Sequence, residues 1–183
     1  SNLLLPRSPL IGREREVAAI QHLLLQEEVG LLTQTGPGGI GKTRLALHAA
    51  AERLGDFLDG VYFVPLAPLA EAGGLIAALA EALQFAFGGR AEPRAQLLDY
   101  VRGKEALLVL DNFEHLLERG TALVADLLAA APEIKLLVTS RERLNVRGEW
   151  LYELRGLPAP EAGVSAAAAA QTFGAVQLFV QCA

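Results

Sequence analysis

Apolar positions along this chain come in short solid runs separated by longer stretches in which they recur every three to four residues. The solid runs are Gly30–Thr35, Val61–Leu66, Leu107–Asp111 and Ile134–Thr139. They are too short for helices, and several are β-branched or aromatic, so they predict strands. Leu107–Leu110 is four apolar residues in a row, which requires burial on both faces, as in a central parallel strand. Trp150–Leu154 predicts a fifth strand, and Pro65 must stand at the end of its strand or on a sheet edge.

Between the runs the period is helical. Val17, Ile20 and Leu24 share one face of a helix running to about Gln26. Arg44–Ala51 is strong helix-forming sequence, expected to end near Leu54. Further helices are predicted from Leu75 to about Leu83, from Pro93 (a good first helical residue) to about Arg102, and from about Leu116 to Ala130. In the last of these, Leu116, Leu123 and Leu127 face inward. Strands alternating with helices predict an α/β fold with a parallel sheet.

After Leu157-Pro158-Ala159-Pro160 the texture changes. Residues 161–170 are mostly Gly, Ser and Ala and read as a linker. Residues 171–183 read as an amphipathic helix with Phe173, Val176, Phe179 and Val180 apolar. A lone helix of that length is marginal in water, so it must dock on something.

One stretch organises the rest. Gly36-Pro37-Gly38-Gly39-Ile40-Gly41-Lys42-Thr43 follows the first strand and opens a helix, and it reads G-x-x-x-x-G-K-[ST], the phosphate-binding loop pattern. Glycines let backbone curl round a phosphate, and the N–H groups at a helix start point at the anion. Lys42 supplies a charge for the β- and γ-phosphates, and the Thr43 hydroxyl is placed to ligate Mg²⁺. Asp111 ends the third strand at the sheet edge where ligands bind, as a Walker B carboxylate would, and would share that Mg²⁺.

Around this pair two residues, Glu114 and Arg141, have two readings each. Asn112 stands where many related ATPases carry a second acid, which leaves Glu114 as the nearest carboxylate to orient a water. Glu114 is equally a helix N-terminal acid favoured by the dipole. Arg141, leaving the fourth strand, could reach a γ-phosphate or pair at the surface with Glu142 or Glu149. Arg13 reads from periodicity as a solvated first-turn charge.

Composition narrows the class. The 183-residue chain is 52% hydrophobic with a net charge of −5, and no basic stripe offers a footprint for DNA. A single cysteine, Cys182, excludes an internal disulfide and suits the cytoplasm. His22, His48 and His115 lack metal-ligand spacing, and Trp150 and Cys182 read as packing residues. No apolar run is long enough to cross a membrane. The chain contains no methionine, so it is expected to be a domain cut from a longer protein, with residues 1–9 a leader.

Ile11-Gly12-Arg13-Glu14, the loop ending Gly41-Lys42-Thr43, Leu108-Val109-Leu110-Asp111-Asn112 and Val138-Thr139-Ser140-Arg141 occur in that order. This set resembles the nucleotide-binding domain of the STAND signalling ATPases, which include NB-ARC domains. Leu110–His115 is most similar to bacterial members among LuxR-type transcriptional regulators.

The resemblance implies a three-layer αβα P-loop NTPase fold of the ASCE type, spanning residues 10–160. Its five-stranded parallel sheet would have the order 5-1-4-3-2, and residues 171–183 would begin a helical subdomain. It implies that Ile11 and Arg13 line an adenine pocket and that residues 36–43 with Arg44 bind the phosphates of ATP or ADP. Lys42, Asp111, Glu114 and Arg141 would then be the groups facing the reacting phosphate, with Thr43 and Asp111 on Mg²⁺.

The implied function is a regulatory switch. It is off with ADP, self-associates with ATP, and acts on DNA only through another domain of the parent chain. Asn112 in place of an acid implies an ATPase that is weak at most. The competing expectation is a catalytic P-loop enzyme, either an AAA+-like ATPase or a kinase. A kinase would need a lid with several arginines, and the loop at 85–92 has only Arg90.

Overall fold

The computed structural model describes residues 1–3 and 10–157. The linker and terminal helix expected at 161–183, Cys182, and most of the leader lie outside the described residues. Five strands form one sheet: β1 (Leu31–Thr35), β2 (Gly60–Pro65), β3 (Ala106–Asp111), β4 (Lys135–Ser140) and β5 (Glu149–Glu153). Their order is β2-β3-β4-β1-β5, every pairing is parallel, and this is the order expected. Parallel neighbours need crossovers. These are supplied by α2 (Lys42–Ala51), α3 (Leu75–Ala82), α4 (Pro93–Val101) and α5 (Leu117–Ala130), with α1 (Glu14–Leu24) preceding the sheet.

The period-2 geometry of the central strands divides the core in two. Leu107 and Val109 of β3, with Leu32 and Leu137, face a layer made by Ile20, Leu24, Leu45, Ala46 and Ala49 of α1 and α2. Leu108 and Leu110, with Leu31, Leu136 and Val138, face Leu75, Leu79, Leu97, Leu123 and Leu127 of α3, α4 and α5. The solid apolar run in β3 thus feeds both layers. Burying each Leu stabilises the fold by about 1.5–3 kcal/mol relative to exposure. Ala46, Ala49 and Ala50 of α2 are buried in the first of these layers, and the short loop from the end of β1 places the N-terminus of α2 at the sheet's C-terminal edge.

Two expectations need correction. The helix after the glycine loop stops at Ala51, and the chain makes a short 3-10 turn at Leu54–Asp56. The helix expected from about Leu116 to Ala130 is found at Leu117–Ala130, entered through a 3-10 turn at Phe113–Leu116 that follows the left-handed Asn112 (φ 67°). Trp150 is 40% exposed and is no core residue, since β5 is an edge strand. Pro65 satisfies both of its allowed placements, as the last residue of the other edge strand.

Phe113 anchors the turn after β3. It is fully buried, and its ring fits against α5 where Gly120 lacks a side chain. A Cβ there would lie 3.0 Å from the ring and 3.2 Å from Leu116 Cβ. Phe113→Ala is expected to cost about 3–5 kcal/mol, read as a lower urea midpoint with unchanged slope. A loss under about 1 kcal/mol would mean that the ring does not anchor the turn.

Candidate functional site

The loop at residues 36–43 carries β1 into α2. Its shape depends on glycine at Gly36 (φ 149°), Gly39 (φ 76°) and Gly41 (φ 96°), where a side chain would be strained. At Gly36 there is crowding as well, since a Cβ would stand 2.7 Å from the Leu154 carbonyl oxygen just beyond β5. Gly41 is the N-cap of α2; no side chain caps this helix and its first turn holds no acid. Its leading N–H groups and positive dipole end are therefore left for an anion.

Lys42 is buried and folds back on the loop. Its Nζ donates to the carbonyls of Gly36 (2.8 Å) and Pro37 (2.9 Å). Burial lowers its pKa from the ordinary lysine value. The carboxylates of Glu114 and Asp111 oppose that, and Arg141 adds to it. Next to it, the Thr43 hydroxyl donates to Asp111 Oδ1 at 2.7 Å. The same oxygen accepts from the Thr139 hydroxyl of β4 at 2.6 Å, and Thr139 Oγ1 in turn accepts from the Asn112 N–H at 3.0 Å. The ends of β3 and β4 and the start of α2 are thereby joined at one carboxylate.

Arg141 pairs with neither Glu142 nor Glu149. The Glu149 carboxylate accepts the backbone N–H groups of Leu144 and Asn145, closing the loop before β5. The Nε of Arg141 instead donates to Glu114 Oε1 at 3.1 Å, and its Nη2 lies 3.4 Å from where a Gly38 Cβ would be. Glu114 and Arg141 line a cavity of about 310 Å³ together with Gly38, Lys42, Thr43 and Thr139.

A second cavity of about 250 Å³ adjoins the first, sharing Gly39, Gly41 and Arg44, and is walled by Leu10, Ile11, Ile40 and Leu157. Arg13 lines it too. The solvated reading of Arg13 is wrong: the residue is 6% exposed and paired with Glu16 at 2.7 Å. This pair lies close enough to Tyr152 of β5 to act on its phenol, whose pKa burial raises.

The structure thus gathers Lys42, Thr43, Glu114 and Arg141 around one cavity, with Asp111 bonded to Thr43 and Thr139 of its lining, and Ile11, Arg13, Ile40 and Arg44 around its neighbour. Sequence reasoning gave no role to Thr139 or Leu157. The signal for Thr139 was a hydroxyl at the end of an apolar strand, which points to Asp111 only once β4 is known to lie beside β3. Among the described residues no three His, Cys, Asp or Glu side chains group to hold a metal by themselves. The oxygen donors of Thr43 and Asp111 suit Mg²⁺, which takes few protein ligands and completes its shell with phosphate and water.

A glycine loop with lysine between the first strand and a helix, a strand-terminal Asp beside it, and the order β2-β3-β4-β1-β5 define a P-loop NTPase domain. Within that class the chain belongs to the NB-ARC domain family, whose sequence profile matches residues 13–148.

Among its relatives, proteins named as HTH-type transcriptional regulators in Mycobacterium bovis and Mycobacterium tuberculosis are 41% identical over 119 residues, covering 65% of this chain. The regulatory protein AfsR of Streptomyces coelicolor is 35% identical over 136 residues, covering 69% of this chain. The chain spans 13% of the length of these relatives.

Similar solved structures include Cdc6p from Pyrobaculum aerophilum, with TM-score 0.63 and 21% identity over 84% of this chain and 48% of that one. A Signal Transduction ATPase with Numerous Domains (STAND) protein from Pyrococcus horikoshii, carrying a tetratricopeptide repeat sensor, gives 0.54 and 20% over 86% and 26%. These two likenesses are of fold.

Thr139→Val keeps shape and removes the hydroxyl, leaving the half-buried Asn112 N–H without its acceptor and Asp111 with one donor fewer. The expected cost is about 1–3 kcal/mol in chemical denaturation, largely restored by Thr139→Ser. Equal stability of all three proteins would show that the hydroxyl bridge does not hold the strand ends.

Proposed function

We propose that residues 10–160 bind ATP or ADP with Mg²⁺ as the switch module of a larger signalling or transcriptional regulator, with hydrolysis slow or absent. The observation that carries this reading is the 2.7 Å contact of Thr43 with Asp111 beside an uncapped helix N-terminus. Hard oxygen donors, free loop N–H groups and a lysine held only by backbone carbonyls are together the chemistry that a polyphosphate and its metal require. On this reading the N–H groups of residues 38–44 and Lys42 take the phosphates, and Thr43 and Asp111 take Mg²⁺, which offsets the phosphate charge when bound. The apolar walls at Ile11, Ile40 and Leu157 take the base, with Arg13 at its rim. Arg141 reads the terminal phosphate.

The regulatory part of the proposal is supported by the names of the relatives, in each of which this domain is a small part of the chain. DNA contact is assigned to another domain, since this one has a net charge of −5. ATP-dependent self-association of the parent protein and a cytoplasmic setting, where nucleotide and DNA are available, follow from the same reading. Among the described residues no helix is long and apolar enough to cross a membrane. Weak hydrolysis is inferred from Asn112, an amide that cannot take a proton from water, and from the ion pair that engages Glu114.

Isothermal titration of the purified chain with ADP and Mg²⁺ tests the reading. Lys42→Ala is expected to weaken binding about 10- to 100-fold, the loss of charge-assisted hydrogen bonds. Asp111→Asn is expected to remove most of the Mg²⁺ dependence while leaving metal-free binding in place. No heat with the wild-type chain, or equal heat with Lys42→Ala, would count against nucleotide binding at this loop.

A further inference from the structure

Glu114 and Arg141 come from different strand ends, and the pair they form closes over the same cavity that Lys42 and Thr43 line. Glu114 is anchored: its side chain is 19% exposed, it sits in the 3-10 turn fixed by Phe113, and its Oε2 is buried without a partner among the described residues. Arg141 is the loose member, with 65% of its side chain exposed. It is held through Nε alone, and its Nη2 rests against Gly38 of the glycine loop. Glu114 lines the same cavity as Gly38 and Lys42, so its side chain borders the glycine loop.

We propose that Glu114 is a latch on Arg141. The carboxylate competes with the terminal phosphate of a bound triphosphate for one guanidinium, and so sets how strongly the site prefers ATP over ADP. This rests on the nucleotide reading above and goes beyond it. A diphosphate bound through the loop and Lys42 leaves the latch shut. A triphosphate must draw Arg141 off Glu114, and the free energy of the broken pair is subtracted from its binding. An ion pair this exposed is modest, so the latch lowers triphosphate affinity by about two- to fivefold. Opening it also unmasks Glu114, so a carboxylate that lines the cavity is released only when a third phosphate is present.

The alternative is plain repulsion between Glu114 and the phosphates, and a double-mutant cycle separates the two. The purified chain is titrated calorimetrically with Mg²⁺ complexes of AMPPNP and of ADP, as wild type, Glu114→Gln, Arg141→Ala and the double variant. The latch requires Glu114→Gln to raise the ratio of AMPPNP to ADP affinity about two- to fivefold. Arg141→Ala should lower that ratio, and Glu114→Gln should add nothing to it in the Arg141→Ala background. A gain of the same size in both backgrounds means simple repulsion and overturns the latch, as does an unchanged ratio in Glu114→Gln. ADP binding by each variant confirms that it is folded. A wild-type chain that binds neither nucleotide refutes the site itself, whereas the wrong pattern among binding variants refutes only the latch.

Discussion

Oδ1 of Asp111 accepts hydroxyl hydrogen bonds from Thr43 and Thr139, at 2.7 and 2.6 Å, and the geometry of the site depends on that oxygen. Thr43 belongs to the first turn of α2, Asp111 to the end of β3 and Thr139 to the end of β4. A single carboxylate at the sheet's edge therefore ties the helix N-terminus to two strand ends. Its partners would leave it underused if the strands ran in another order, because β4 must lie between β3 and β1 for Thr139 to arrive there. The apolar core sets that order, and the carboxylate turns it into a cavity lined with oxygen donors and backbone N–H groups.

Within the cavity the positive groups already have partners of their own. Lys42 is satisfied by the carbonyls of Gly36 and Pro37, and Arg141 by Glu114. For the buried Lys42 these contacts prevent an unpaired buried charge, which would be costly. They are also exchangeable, since a carbonyl or a single carboxylate is a weaker partner for a cation than a polyphosphate. The site is in this sense self-complementary, and any anion that enters must do better than the loop does for itself.

Much of the fold was legible because burial on both faces leaves solid apolar runs, and β3 is the plainest case. The glycine loop was legible because positive φ at Gly36, Gly39 and Gly41 excludes almost every other residue. The strand order came from resemblance, since periodicity says which residues are buried but not which strands are neighbours. Periodicity alone left Arg13 solvated, because it counts faces of one helix and cannot see the second cavity beside Ile40; only the resemblance put it in a pocket. Trp150 was misread for the converse reason: an apolar strand residue on the sheet's edge has no layer to cover it. The Glu114–Arg141 pair joins residues 27 positions apart through a left-handed turn at Asn112, which no local pattern announces.

The most direct measurement is a crystal structure of the chain grown with Mg²⁺ and a non-hydrolysable ATP analogue. Lys42 Nζ should have left the Gly36 and Pro37 carbonyls for phosphate oxygens, with Mg²⁺ beside Thr43 Oγ1 and Asp111. A polyphosphate bound elsewhere, or Lys42 still folded onto the loop while nucleotide is present, would contradict the assignment of this loop as the nucleotide site.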